Sequence, residues 1–206
     1  MNKKQQQILL FFLFFFSIYC ALIIGKSWDE GYHLKQGKSS LEYFFSLGGT
    51  NEYFWGREYY SALYWTLQYF LTTIFPKAYQ IQASHIVNLI FSLATIFGIG
   101  KLGQELFNKQ VGKIIFLILF FYPIFFGHMG MNPKDTILAF SHVWITFYVL
   151  KYLRTQHLKI KSRFNKHIIY IATLAALATG IQIFFIGSLI PIIPSPKLAS
   201  PLISSS

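Results

Sequence analysis

The sequence predicts an all-α polytopic membrane protein, and three observations carry that prediction. Hydrophobic residues make up 54% of the chain and charged residues 12%, with a mean hydropathy of +0.45, a balance outside the soluble range. The apolar residues gather in runs of roughly 20, the length that crosses a bilayer core. The basic residues fall in short loops between those runs rather than in one stripe on a soluble domain. That placement argues against nucleic acid as the partner of the +11 formal charge and for the bilayer. The 23 Phe and 13 Tyr suit lipid contact and the interfacial belt.

The first run covers residues 8–25 and follows Met1-Asn2-Lys3-Lys4. It is long for a signal sequence and no small-x-small cleavage site stands near its end, so an uncleaved span is expected. The single cysteine, Cys20, lies inside this run and forms no intrachain disulfide. Ile18 and Tyr19 before it are wrong for a lipoprotein site, so an inert, buried thiol is expected. Further runs cover residues 83–103, 111–127, 136–153 and 168–190. The stretch 58–75 is ambiguous: apolar and aromatic, it also carries Glu58, Ser61, Thr66, Gln68, Thr72 and Thr73 and ends at Pro76.

Charge asymmetry decides the ambiguous case. If 58–75 does not cross, the inner face receives Lys3, Lys4, Lys101, Lys109, Lys113, Lys151, Arg154, Lys159, Lys161, Arg163 and Lys166, which is 11 of 18 basic residues. The outer face then receives six of the seven acids: Asp29, Glu30, Glu42, Glu52, Glu58 and Asp135. A crossing there would put the dense basic loop 154–167 outside, against the positive-inside bias. The expected arrangement is five spans, N-terminus inside, with one or two interfacial helices in a large first outer loop over residues 26–82. Residues 1–190 form the transmembrane module. Residues 191–206 carry Pro191, Pro194, Pro196, Pro201 and five Ser, so an irregular tail is expected. A last span running into such a tail suggests a chain that stops early; further spans encoded beyond Ser206 in the parent locus would bear on that hypothesis. The abundance of Lys, Ile and Phe points to an AT-rich, bacterial genome, and hence to an inner membrane.

Two outer loops carry the candidate chemistry. A carboxylate at mid-bilayer costs roughly 2.5–3.5 kcal/mol on insertion scales, so acids beside spans belong at the water boundary or in a protected cavity. In Trp28-Asp29-Glu30-Gly31-Tyr32-His33, two acids follow directly on the first run. They could simply favour the dipole of a following helix. Alternatively one is a general base that takes a proton from an acceptor hydroxyl, with Asp29 the better choice, and Glu30 orients backbone or binds a sugar hydroxyl. In Gly127-His128 to Asn132-Pro133-Lys134-Asp135, Asn-Pro reads as a turn and Asp135 as the cap of a helix starting at Thr136. Capping leaves His128 and Lys134 unexplained, and Lys134 could bind a phosphate leaving group. Arg57 offers a second phosphate ligand, or an ion pair with Glu52 or Glu58. His33 and His128 lie near the acids, but two His without a third ligand at metal spacing are no metal signature. His85 and His142 lie within apolar runs and are expected to be satisfied by neighbouring helices. The residues call for no cofactor; they neither identify a divalent metal nor exclude one.

On these residues the chain resembles the polytopic GT-C glycosyltransferases, the group of protein O-mannosyltransferases and lipid A aminoarabinose transferases. Members have a cytoplasmic N-terminus, one span, and a large outer loop with an Asp-Glu pair near its start. Trp28-Asp29-Glu30-Gly31-Tyr32-His33 stands at that place, and the loop from Gly127-His128 to Asn132-Pro133-Lys134-Asp135 resembles the second outer loop of some bacterial branches. The resemblance covers about residues 5–190, roughly the N-terminal half of such enzymes; the counterparts of their later spans and any C-terminal domain lie outside these 206 residues. It implies a polyprenyl-phosphate sugar donor, an inverting transfer to a protein, lipid or glycan acceptor, Asp29 as base, and cations that neutralise the departing lipid phosphate. Within that reading Asp29, Glu30 and Asp135 are the catalytic candidates. Arg57 and Lys134 are the donor-phosphate ligands, and His33, His128 and Asn132 contact substrate. A transporter fragment and a noncatalytic assembly subunit are the other classes.

Overall fold

The structure, a computed structural model, describes residues 2–49, 63–157 and 166–192. The described residues contain α-helices, short 3-10 turns and no strands. Among the described residues, three helical stretches are long and apolar enough to cross a membrane: Lys4–Ile23, Lys77–Leu106 and Pro133–Arg154. The chain divides into two compact units. One is built from residues 1–93 with 121–136, the other from 94–120 with 137–206.

In the first unit, α1 (Lys3–Ile23) opens on a reciprocal cap. The Asn2 side chain accepts the Gln5 N–H at 2.8 Å, and the Gln5 side chain accepts the Asn2 N–H at 2.9 Å. Its 21 residues extend about 31 Å, one bilayer core. Leu13, Ser17 and Ala21, four residues apart, are its buried stripe, while Phe11, Phe12 and Phe15 face outward. Cys20 is only half-buried, which corrects the expectation of a buried thiol: its neighbour Ala21 takes the inward position.

Two α-helices occupy the described part of the stretch expected to be the first outer loop: α2 (Glu30–Phe45) and α3 (Leu63–Thr72). At 10 residues α3 is about 15 Å long, half of what a crossing needs. It packs closely on α2 because position 37 is glycine; a Cβ there would overlap the Trp65 carbonyl and approach Tyr69 Cβ to 2.7 Å. His33 stacks on Trp65 with ring centroids 5.0 Å apart. α2 ends where Leu47 and Gly48 take positive φ (51° and 87°), letting Gly48 N–H reach back to the Tyr43 carbonyl at 3.0 Å.

After a 3-10 turn (Lys77–Tyr79), α4 (Gln80–Leu106) runs 27 residues, about 40 Å. Its first half is arranged inside out relative to a soluble helix. Ser84, His85, Asn88 and Ser92 are buried, and Ile90 is exposed. In an apolar solvent that order is favourable, since polar groups find partners only by facing other helices.

The run 111–127 is not one helix. α5 (Lys109–Phe121) covers about 20 Å and stops before Tyr122, which takes an extended conformation ahead of Pro123. Pro123 then opens α6 (Pro123–His128) at the first helical position, where its missing N–H costs nothing. α7 (Pro133–His157) likewise starts on a proline. Its start lies three residues before the expected Thr136, so Asp135 is in the first helical turn and is not the cap.

The second unit joins the rest of α4 and α5 to α7 (from Ile137), α8 (Lys166–Ile181) and α9 (Phe185–Ser188). Gly112 of α5 lies against Gly100 of α4, so close that a Cβ on Gly112 would come 2.5 Å from the Gly100 carbonyl oxygen. Trp144 Nε1–H donates to the Ala94 carbonyl at 3.1 Å. Glu105 receives Lys151 at 2.6 Å and Arg154 at 2.8 Å, so the C-terminal ends of α4 and α7 meet. Ile145, Ala178 and Phe185 form a small core between α7, α8 and α9. The run 168–190 is divided too, with α8 ending at Ile181 and a 3-10 turn (Ile190–Ile192) after α9. Residues 193–206, most of the expected irregular tail, lie outside the described residues.

Candidate functional site

The Asp29-Glu30 pair forms the entry to α2: Asp29 is the residue before the helix and Glu30 its first. This is the helix-dipole position, but the two side chains have different surroundings. Glu30 is 3% exposed and both of its oxygens are engaged. Oε2 accepts the Ser27 backbone N–H at 2.8 Å, and Oε1 lies 2.6 Å from His85 Nε2. Asp29 makes no cap hydrogen bond; its side chain is 31% exposed. Oδ1 accepts the Ser27 hydroxyl at 2.6 Å, and Oδ2 lies 3.8 Å from His33 Nε2. Lys26 folds back over the same turn, so that a Cβ on Gly31 would meet its Cε at 2.8 Å. The turn thus presents one outward carboxylate beside an imidazole, and anchors itself with the inward one.

The anchor is α4. His85, wholly buried, offers Nδ1 to the Ala21 carbonyl at 3.0 Å while Nε2 meets Glu30. Ala21 is in the last turn of α1, where carbonyls lack intrahelical partners, so one imidazole serves a helix end and a helix start together. One turn along, Asn88 accepts the Tyr64 hydroxyl of α3 and donates to the Gly130 carbonyl at 2.9 Å. Burial pushes the Tyr64 hydroxyl well above its ordinary pKa, and the Glu30 carboxylate adds to the rise, so Tyr64 stays a neutral donor. Ser92 donates to the Met129 carbonyl at 3.0 Å, and Gln68 of α3 donates to the Ser84 hydroxyl. Positions 85, 88 and 92 lie on one helical face, and that face draws α1, α2, α3 and the 129–130 segment to a common point.

The second acid-bearing loop arrives there through its backbone. A Cβ on Gly130 would stand 3.6 Å from Ala21 Cβ and 3.8 Å from His85 Cβ. The side chains assigned to this loop from sequence lie further out: His128 and Asp135 are exposed, Asn132 and Lys134 half-buried. Among the described residues no hydrogen bond or ion pair joins Asp135 to the Asp29 turn. Arg57, with Glu52 and Glu58, lies outside the described residues. Among those described, no group of three His, Cys, Asp or Glu could hold a metal ion. His142 faces Phe185 edge-on, 6.1 Å between rings, and meets Ser188 Oγ at 3.4 Å, a marginal contact.

Alongside the α1–α4 contact lies an apolar groove of about 810 Å³, bordered by Leu22, Leu71, Phe75, Ala83, Ile86 and Ile90. Ile86 directly follows His85 and Ala83 stands two residues before it, so the groove and the Asp29 turn share the same stretch of α4.

Tyr64, His85, Asn88 and Ser92 were not expected in the site. The available signal was spacing, since polar residues at intervals of three and four inside an apolar run mark an inward face. No family model, curated protein or solved structure matches this chain.

Proposed function

We propose that this chain is an integral-membrane glycosyltransferase that moves a sugar from a polyprenyl-phosphate donor to an acceptor on the outer face of a bacterial inner membrane. The observation that carries the reading is the outward Asp29 carboxylate, held by Ser27 and His33 at the mouth of membrane-length helices, one of which, α4, also lines an apolar groove. The groove suits a polyprenyl chain, and Lys26, Lys134 and Arg57 are the cations for its phosphate. Asp29 takes the acceptor's hydroxyl proton as that oxygen attacks the anomeric carbon, and the lipid phosphate leaves with the bonding electrons. In the full topology α1, α4 and α7 cross. The divided stretches α5–α6 and α8–α9 make the remaining two of five spans, α2 and α3 lie along the outer leaflet, and the N-terminus is cytoplasmic. The basic end of α7, where Lys151 and Arg154 meet Glu105 of α4, supports that orientation.

The test is Asp29→Asn in membranes supplied with a panel of radiolabelled polyprenyl-phosphate hexoses and pentoses. Transfer should fall on the order of 10²–10⁴-fold, the usual worth of a general base, with insertion unchanged. Transfer at the wild-type rate would defeat the assignment. One observation favours a second reading: Glu30 and His85 are an ionisable pair buried against a membrane helix, as in proton-coupled carriers. A carrier would lose proton-driven uptake in Glu30→Gln and keep it in Asp29→Asn.

A further inference from the structure

The inference concerns the residue that makes Asp29 usable, and it rests on the proposed function above. Glu30 cannot itself meet a substrate: it is buried, with one oxygen on the Ser27 amide and the other on His85. The proton positions follow from the partners. The Ala21 carbonyl can only accept, so His85 Nδ1 carries hydrogen and donates to it. The remaining nitrogen faces a carboxylate oxygen at 2.6 Å, so a single proton lies between Nε2 and Oε1.

We propose that His85 is a positioning residue which acts through Glu30. The chain of contacts is short. Ala21 fixes His85, His85 fixes Glu30, and Glu30 fixes the Ser27 amide. Ser27 then places its hydroxyl on Asp29. Position 85 therefore sets the orientation of a carboxylate on another element, although His85 has no exposed atom with which to touch a substrate. Gly130 of the second loop lies close to Ala21 and to the same His85, and Asn88, one turn along α4, holds its carbonyl.

Glutamine at position 30 discriminates sharply. Its amide oxygen can accept the Ser27 N–H while its NH₂ donates to His85 Nε2, and His85 keeps its Nδ1–H on Ala21. Every hydrogen bond survives and only the shared proton and charge are lost. The experiment compares Glu30→Gln, Glu30→Ala, His85→Ala and Asp29→Asn in the full chain, using the same donor panel and amide hydrogen exchange at Ser27. Glu30→Ala and His85→Ala should lower kcat on the order of 100-fold, the effect of a misplaced reacting group, with KM for the donor unchanged. Glu30→Gln should restore kcat to within about threefold of wild type and keep Ser27 protected, whereas Glu30→Ala should speed Ser27 exchange at least about tenfold.

Equal loss of kcat in Glu30→Gln and Glu30→Ala would overturn the inference and make Glu30 a reacting group, with the proposed function left standing. Unchanged transfer in Asp29→Asn, or none by wild type with any donor, would overturn the proposed function. Ser27 exchange then decides the inference alone: protection in Glu30→Ala equal to wild type would end it.

Discussion

Replacing Asn88 with alanine probes the polar face of α4 at the point where three elements meet. Asn88 is 1% exposed, accepts the Tyr64 hydroxyl and donates to the Gly130 carbonyl. The variant loses two hydrogen bonds and leaves two buried groups unpaired, each worth about 1–3 kcal/mol. Interhelical polar contacts in membrane proteins average nearer ~0.6 kcal/mol net, because partners are also found in the unfolded state, and that pulls the expectation down. Weighing the two, Asn88→Ala should destabilise the chain by about 2–4 kcal/mol. The double variant Tyr64→Phe/Asn88→Ala carries no stranded hydroxyl, so it should cost about 1 kcal/mol less than the sum of its singles. The assay is titration of the full chain from mild micelles with a denaturing detergent, followed by helical circular dichroism. Asn88→Ala within about 0.5 kcal/mol of wild type, or a strictly additive cycle, would refute the reasoning.

Two further outcomes are expected in the same assay. Gly37→Ala should cost about 1–3 kcal/mol by forcing α2 away from the Trp65 carbonyl and Tyr69, with a change in Trp fluorescence as the His33–Trp65 stack opens; a neutral result would mean that α2 and α3 are not in contact. Glu105→Gln should cost less than about 1 kcal/mol, because its partners Lys151 and Arg154 are partly exposed, and the loss should shrink in high salt; a loss above about 2 kcal/mol would place that cluster in an apolar setting.

Much of the local structure was legible without coordinates. The runs 8–25, 83–103 and 136–153 correspond to α1, α4 and α7 because an apolar run of that length has one low-energy form when water is absent: a helix with every internal backbone group paired. The two runs that proved divided were harder. Hydropathy averages over Tyr122-Pro123, whereas helix geometry does not, since a proline removes a donor and forces its predecessor out of the helical region. The same effect at Pro133 moved the start of α7 and with it the role of Asp135.

The candidate site divides along the same line. That Asp29 and Glu30 stand at the mouth of a span was set by the chain itself, because acids are driven to the boundary of an apolar segment. Which of the two faces outward was decided by tertiary structure. Glu30 turns in because His85, 55 residues further along, stands where its oxygen needs a donor, and Asp29 is left to the surface. Periodicity describes a helix's own faces and cannot say which distant residue will lie opposite. Only packing α1, α2, α3 and the 129–130 segment against one polar stripe of α4 supplies that information, and it does so because unpaired polar groups in a medium without water have no alternative partner.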